Sequence, residues 1–402
     1  MRRATDVELR AARLSVAAIF LLNGTATANW LVRIPAVQRK LGLTEGELGL
    51  ALFGVAVGAL ASMPWTGRLV ARFGSKRVTQ VAAFVFAVVF LLPPLATNGL
   101  ALFVALVVLG AGHGALDVAM NAQAATVERQ YERPIMASFH ALWSLGGLVG
   151  ATMGGVIASR GVGLMSHLGV LALVVALLVG RITSRMLPAG ADAAPEHAAR
   201  GRPHGALIAL GVLAFCVLLG EGAMADWSAV YLRDVTHAGP GLAAAGYAAF
   251  SLAMASGRLV GDSLRLRVSS TVLVRFGGAL AAVGLASGLA FASSWAAIVA
   301  FGAVGAGLSI AFPIALAAAS ALPGTSPGPA IATVSTFGYA GFLAGPPLIG
   351  FVAEGTSLRG GLLVVVVSCV VVAALAGGLR WATRPGVQRD QEPSAETPRA
   401  AA

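Results

Sequence analysis

The chain has 402 residues, of which 57% are hydrophobic and only 11% charged. Soluble domains carry about 25% charged residues, so this composition excludes a water-exposed surface around an ordinary core and leaves the bilayer as the solvent. A formal net charge of +11 would point to a polyanion partner in a soluble protein. Here the basic residues fall between apolar runs, where they orient a membrane chain rather than bind nucleic acid.

At about 20 residues per span, the apolar runs predict an all-α membrane protein of twelve transmembrane helices. The first six cover 14–31, 48–69, 78–96, 100–125, 134–158 and 166–183. The arginine-flanked first run has no small-residue cleavage site after it and reads as a retained helix rather than a signal peptide. Thr44 and Glu47 have the spacing of a capping box at the start of the second helix, and Pro134 suits the first turn of the fifth. Composition then changes over 185–204, a solvated linker rich in charge, Pro and Ala. The pattern resumes at 206–231, 242–260, 272–291, 295–321, 330–353 and 361–381. The reading is therefore a six-helix bundle over 1–184, the linker, a second bundle over 205–382, and a polar, disordered tail over 383–402. Pro64, Pro313, Pro346 and Pro347 are expected to bend their helices.

Charge fixes an expected orientation. Most of the 28 basic residues lie on the side of the two termini; the other side keeps Arg33, Arg39, Lys40, Arg160, Arg233 and Arg359. Both termini are expected in the cytoplasm of an inner-membrane protein. The halves also echo one another. Gly67-Arg68-Leu69-Val70 recurs as Gly257-Arg258-Leu259-Val260, Gly112 and Gly114 pair with Gly305 and Gly307, and Gly146, Gly150 and Gly155 pair with Gly341, Gly345 and Gly350. Parallel six-helix repeats place a solute site between the halves, near mid-membrane.

Polar groups inside spans mark candidate sites, because a charge at bilayer depth costs about 2.5 kcal/mol or more. His113, Asp117 and Asn121 form one stripe on the fourth helix. His140 and Trp143 lie two turns into the fifth. Glu221 is mid-way along the seventh, with Asp226 and Trp227 nearer its outer end, where Asp226 could pair with an outer arginine. Asn23, Thr27 and Trp30 share a face of the first helix, with Asn29 offset; Trp30 also suits an interfacial belt. Each has a structural alternative, a hydrogen-bond network between helices. Arg258 and Asp262 read as a helix-end pair. Cys216 and Cys369 have no metal or disulfide spacing. No zincin, nucleophile-elbow or Walker motif is present, so neither an enzyme nor a cofactor is expected.

The stretch Gly67-Arg68-Leu69-Val70-Ala71-Arg72-Phe73-Gly74-Ser75-Lys76-Arg77 resembles the cytoplasmic signature of the major facilitator superfamily, with Ala71 where an acid is usual. The resemblance makes Gly67, Arg68, Arg72, Gly74, Lys76 and Arg77 a gating loop. Leu116 to Asn121, Ser138-Phe139-His140 and Glu221 to Ser228 are similar to the fucose-permease-like branch and bacterial facilitators near it. That resemblance implies proton coupling at Asp117 and solute contact at His140; the branch also uses an acid in the first helix, where Asn23 and Asn29 stand here. The expected function is alternating-access transport of a small polar solute, a sugar among the candidates, coupled to protons by Asp117 and Glu221. The partners are then the solute, protons and the bilayer, and the carrier is expected to be a monomer. The second reading is proton-driven efflux of amphipathic compounds; a membrane-embedded enzyme or a channel stands outside transport.

Overall fold

The computed structural model describes residues 5–131, 135–188, 205–291, 293–322 and 327–381. The expected helix start at Pro134, most of the linker and the tail lie outside them. Fifteen α-helices run in the order α1 (Asp6–Leu31), α2 (Ile34–Leu41), α3 (Glu45–Phe73), α4 (Ser75–Val89), α5 (Leu92–Leu95), α6 (Gly99–Tyr131), α7 (Met136–Ser159) and α8 (Leu164–Thr183). They continue with α9 (Gly205–Asp234), α10 (Pro240–Arg265), α11 (Ser270–Phe291), α12 (Ser294–Leu308), α13 (Ala311–Ser320), α14 (Pro327–Gly355) and α15 (Leu358–Leu375). No strand occurs among the described residues. Among the described residues, eleven helical segments are long and apolar enough to cross a membrane. The twelfth, α10, is 26 residues long but diluted by Ala, Gly and Ser, and packs against α7, α9 and α12.

Local chemistry explains the breaks. Thr44 and Glu47 form the expected capping box at α3: the Thr44 amide donates to Glu47 Oε2 at 2.9 Å and the Glu47 amide to Thr44 Oγ1 at 3.2 Å. Thr5 and Glu8 repeat it at α1. The predicted third helix divides into α4 and α5, because Pro93 and Pro94 offer no N–H to the carbonyls one turn back. The predicted tenth divides at Ser309–Ile310 for the same reason, four residues before Pro313. Pro64, Pro346 and Pro347 sit inside continuous helices. The short helix α2, with Pro35 in its first turn and Gly42 left-handed at φ 65° beyond its end, was not expected from its polar sequence.

Glycines set the packing, and they repeat. In the first half a Cβ on Gly110 (α6) would lie 1.9 Å from the Val55 carbonyl oxygen of α3; in the second, one on Gly305 (α12) would lie 2.4 Å from that of Phe250 in α10. Gly146 of α7 meets the Leu21 carbonyl of α1 at 2.3 Å, and Gly341 of α14 meets that of Phe215 in α9 at 2.1 Å. Small residues let the helix backbones touch. These contacts correct two sequence matches. Gly110 aligns with Gly305 and Gly112 with Gly307, a register two residues from the expected one. Gly67 meets open space whereas Gly257 faces the Ser309 hydroxyl, so the two Gly-Arg-Leu-Val stretches are not equivalent positions.

The halves meet along α3–α14 and α7–α10, closest at the end of the bundle away from the termini. There a Cβ on Gly350 would lie 2.6 Å from the Glu45 carbonyl oxygen, one on Gly49 2.6 Å from that of Pro346, and one on Gly155 2.6 Å from the Ala244 methyl. Arg233, at the end of α9, adds bonds to the Pro35 carbonyl and, at 2.6 Å, to Gln38 Oε1 of α2.

Gly110 and Gly350 therefore make opposite predictions. Gly110→Val collides within one half and is expected to lower stability by about 2 kcal/mol or more, read as a fall in melting temperature and folded yield. Gly350→Val collides only across the closed seal and is expected to fold but to open that end. A cysteine placed at Ala244 should then label several-fold faster, with little background because both native cysteines are buried. Equal melting temperatures and equal labelling would contradict this division.

Candidate functional site

The seal at one end leaves a central cavity of about 580 Å³ on the side of the termini. Both halves line it, through α1, α3, α6 and α7 on one side and α9, α10, α13 and α14 on the other. Most of the wall is aromatic, aliphatic or methionine: Phe20, Met63, Met120, Met136, Trp143, Phe312, Tyr339 and Phe342 all face it. An apolar wall with a few convergent polar groups is how small-molecule sites are built.

Those polar groups are His113, Asp117, His140, Glu221, Arg258, Arg265 and Ser309. Asp117 and His113 lie one turn apart on α6, as their spacing requires. Asn121, a further turn along, donates to Asp117 Oδ1 at 3.1 Å and to the Asp117 carbonyl at 2.9 Å. Among the described residues no cation pairs with Asp117. The His113 ring packs against Phe86 of α4, centroids 5.5 Å apart, and His140 sits edge-on to Phe20 of α1 at 5.4 Å.

Glu221 is held differently. Arg258 of α10 reaches its two carboxylate oxygens at 3.2 and 3.4 Å, and its other terminal nitrogen donates to Ser144 Oγ at 2.9 Å. Both ion-pair side chains are about 15% exposed (16% and 15%). Ser144 belongs to α7, so one guanidinium ties α9, α10 and the opposite half together beside the cavity. Arg258 thus makes a cross-bundle pair that the sequence did not suggest; the expected Arg258–Asp262 pair falls on the Asp262 side chain, which lies outside the described residues. Sequence reasoning named Arg258 only as a helix-end residue and missed Ser144, yet a signal for the site existed: an acid inside a span needs a named counter-charge, and Arg258 is the arginine that lies deepest within a second-half helix.

The other sequence candidates do not line this cavity. Asn23 is buried just behind it, its amide 3.6 Å from Met120 Sδ and its oxygen accepting from Thr27. Asn29 faces away, its Oδ1 accepting from His167 Nε2–H at 2.8 Å and its amide nitrogen donating to the Thr25 carbonyl at 2.8 Å. Trp30 is buried, not interfacial. Asp226 and Trp227 lie farther along α9 toward the sealed end; Trp227 is fully buried with its indole N–H unpartnered, and Asp226 forms no ion pair with an arginine among the described residues.

The gating-loop residues meet at a one-residue turn. Gly74, at φ 84°, joins α3 to α4. Arg68 covers the Trp65 ring at 4.8 Å and Arg72 the Phe73 ring at 5.1 Å. Lys76 donates to the Ser184 carbonyl at 2.5 Å, beyond the end of α8. Ser75 bonds Gln123, which donates to the Leu187 carbonyl at 3.1 Å. Gly67 and Arg77 complete the stretch, with no cross-half contact among the described residues. Among the described residues, the contacts at this turn run to carbonyls, an amide and rings of the first half.

Comparison with known proteins agrees with this architecture. The family model of the Major Facilitator Superfamily matches residues 16–324. An uncharacterized MFS-type transporter of Yersinia pestis is 35% identical over 365 residues, covering 90% of this chain and 94% of the relative. An uncharacterized transporter of Sinorhizobium fredii is 36% identical over 370 residues, covering 91% and 97%. Among solved structures, a bacterial homolog of the human lysosomal transporter Spinster, in an inward-facing and unoccupied conformation, superimposes with a TM-score of 0.68 at 14% identity, covering 94% of this chain and 98% of that one.

Proposed function

The chain belongs to the major facilitator superfamily, and on that premise we propose that it is a proton-coupled, alternating-access carrier of a small polar solute. The observation that carries this reading is the pair of unlike acids in one cavity between the halves. Asp117 has an amide neighbour and, among the described residues, no cation; Glu221 has Arg258. The first can take up and release a proton without breaking an ion pair. The second, when its charge changes, alters a guanidinium that also holds the opposite half. A cavity open to one end and sealed by glycine contacts at the other is one of the two states such a carrier alternates between.

The aromatic and methionine wall favours a solute with an apolar face as well as polar groups, which keeps efflux of amphipathic compounds as the second reading. His140 and Trp143, side by side on the wall, would supply a hydrogen bond and a flat apolar surface to such a solute. We read the termini as cytoplasmic in the inner membrane, because the basic residues gather at that end, and the cavity as open inward. A reporter fused after Trp381 should be active in the cytoplasm; activity only outside would reverse the direction of every step.

Binding tests the site itself. Purified protein is expected to gain thermal stability with one class among sugars, polyols and amphipathic drugs, and His140→Ala and Trp143→Ala should abolish that gain without lowering the ligand-free melting temperature. A ligand-induced shift that survives both substitutions would place binding elsewhere.

A further inference from the structure

A second cavity, of about 620 Å³, opens on the flank of the bundle where α1 and α7 of the first half meet α10 of the second. It has two chemically distinct ends. At the end near the termini stand Arg10 and Arg13, in the first turns of α1. Arg13 lies over the Tyr131 ring, 5.2 Å from its centre; Arg10 is exposed, and among the described residues neither forms an ion pair. Deeper in, the wall is aliphatic. Leu14, Leu145, Leu252 and Leu259 line it and are 70%, 41%, 51% and 67% exposed. Leu252 lies two turns farther into the membrane than Leu259.

Exposed leucine on a membrane helix faces acyl chains, and two arginines that form no ion pair among the described residues, although Asp6 and Glu8 share their helix, stand at the end where lipid phosphates would lie. Guanidinium groups match phosphate oxygens in pairs, and basic pockets between transmembrane helices take anionic headgroups. We propose that this groove binds an anionic phospholipid, its phosphate held by Arg10 and Arg13 and one acyl chain lying along the leucine wall between the halves. The site is separate from the central cavity and does not depend on what the carrier moves. The plainer role for the arginines is to orient the chain while their side chains reach water, which requires no preference among lipids.

Native mass spectrometry of the full chain in mild detergent separates the two, with phosphatidylglycerol, phosphatidylcholine and soluble glycerol 3-phosphate as probes. The expected result is retention of one phosphatidylglycerol at least tenfold more tightly than phosphatidylcholine. Arg10→Gln with Arg13→Gln should erase that preference, and Leu252→Trp, which fills the groove, should weaken both lipids. Melting temperature in lipid-free detergent checks that the variants fold. Equal retention of the two lipids by the parent, an unchanged preference in the arginine variant, or tenfold tighter binding of soluble glycerol phosphate than of the intact lipid would overturn the proposal.

Discussion

Asp117→Asn is expected to leave solute exchange across the membrane intact while abolishing accumulation against a gradient. The substitution keeps the shape of the side chain and its hydrogen bond with Asn121, and removes only the group that can carry a proton. With one proton per solute, each unit of pH difference drives about tenfold accumulation in the parent; the variant should reach a ratio near one, and its exchange rate should stay flat across pH. Equilibrium exchange and uphill uptake, measured on the same vesicles, check this. A purely structural Asp117 predicts another pattern, in which less protein folds and what survives still accumulates solute. Uphill uptake by Asp117→Asn equal to the parent, with loss in Glu221→Gln, would move the coupling site to α9.

Arg258→Ala is expected to be the most damaging single change at the site. It leaves Glu221 in an apolar wall without its cation, which in a buried pair costs about 3 kcal/mol, and it removes the bond to Ser144 across the halves. A lower melting temperature and loss of transport should appear together. Adding Glu221→Gln removes the stranded charge and should recover most of the stability but none of the coupling, so the two changes should be strongly non-additive. Ser144→Ala, which keeps the ion pair, should be nearly neutral for stability. Arg258→Ala melting like the parent would show that the ion pair contributes little.

The fold was largely legible because a bilayer imposes one rule on every residue. Twelve apolar runs, the capping box at Thr44 and the bias of basic residues each follow from local composition, and the glycine matches at Gly146 and Gly341 mark backbone contacts that recur in both halves. What remained hidden depends on rotation and distance. The stripe from His113 to Asn121 was visible, but not that Asn121 would stand behind Asp117 rather than in the cavity. Asn29 and Trp227 are as polar or aromatic as the lining residues, and only the packing of α1 on α8 and of α9 within its own half turns them away from it. A helix pattern sees neighbours one turn apart, such as Arg258 and Asp262; it does not see Glu221, which Arg258 reaches from 37 residues away on another helix.

A proton-coupled carrier moves protons when solute alone drives it. Sealed proteoliposomes with a pH-sensitive dye inside, given an inward solute gradient and no initial pH difference, report that movement directly, with the stabilising solute from the binding panel as the probe. Internal pH is expected to change with solute entry in the parent protein and to stay constant in Asp117→Asn, although labelled solute still equilibrates in both. Solute entry without any pH change in the parent, or an undiminished pH change in Asp117→Asn, would contradict proton coupling through Asp117.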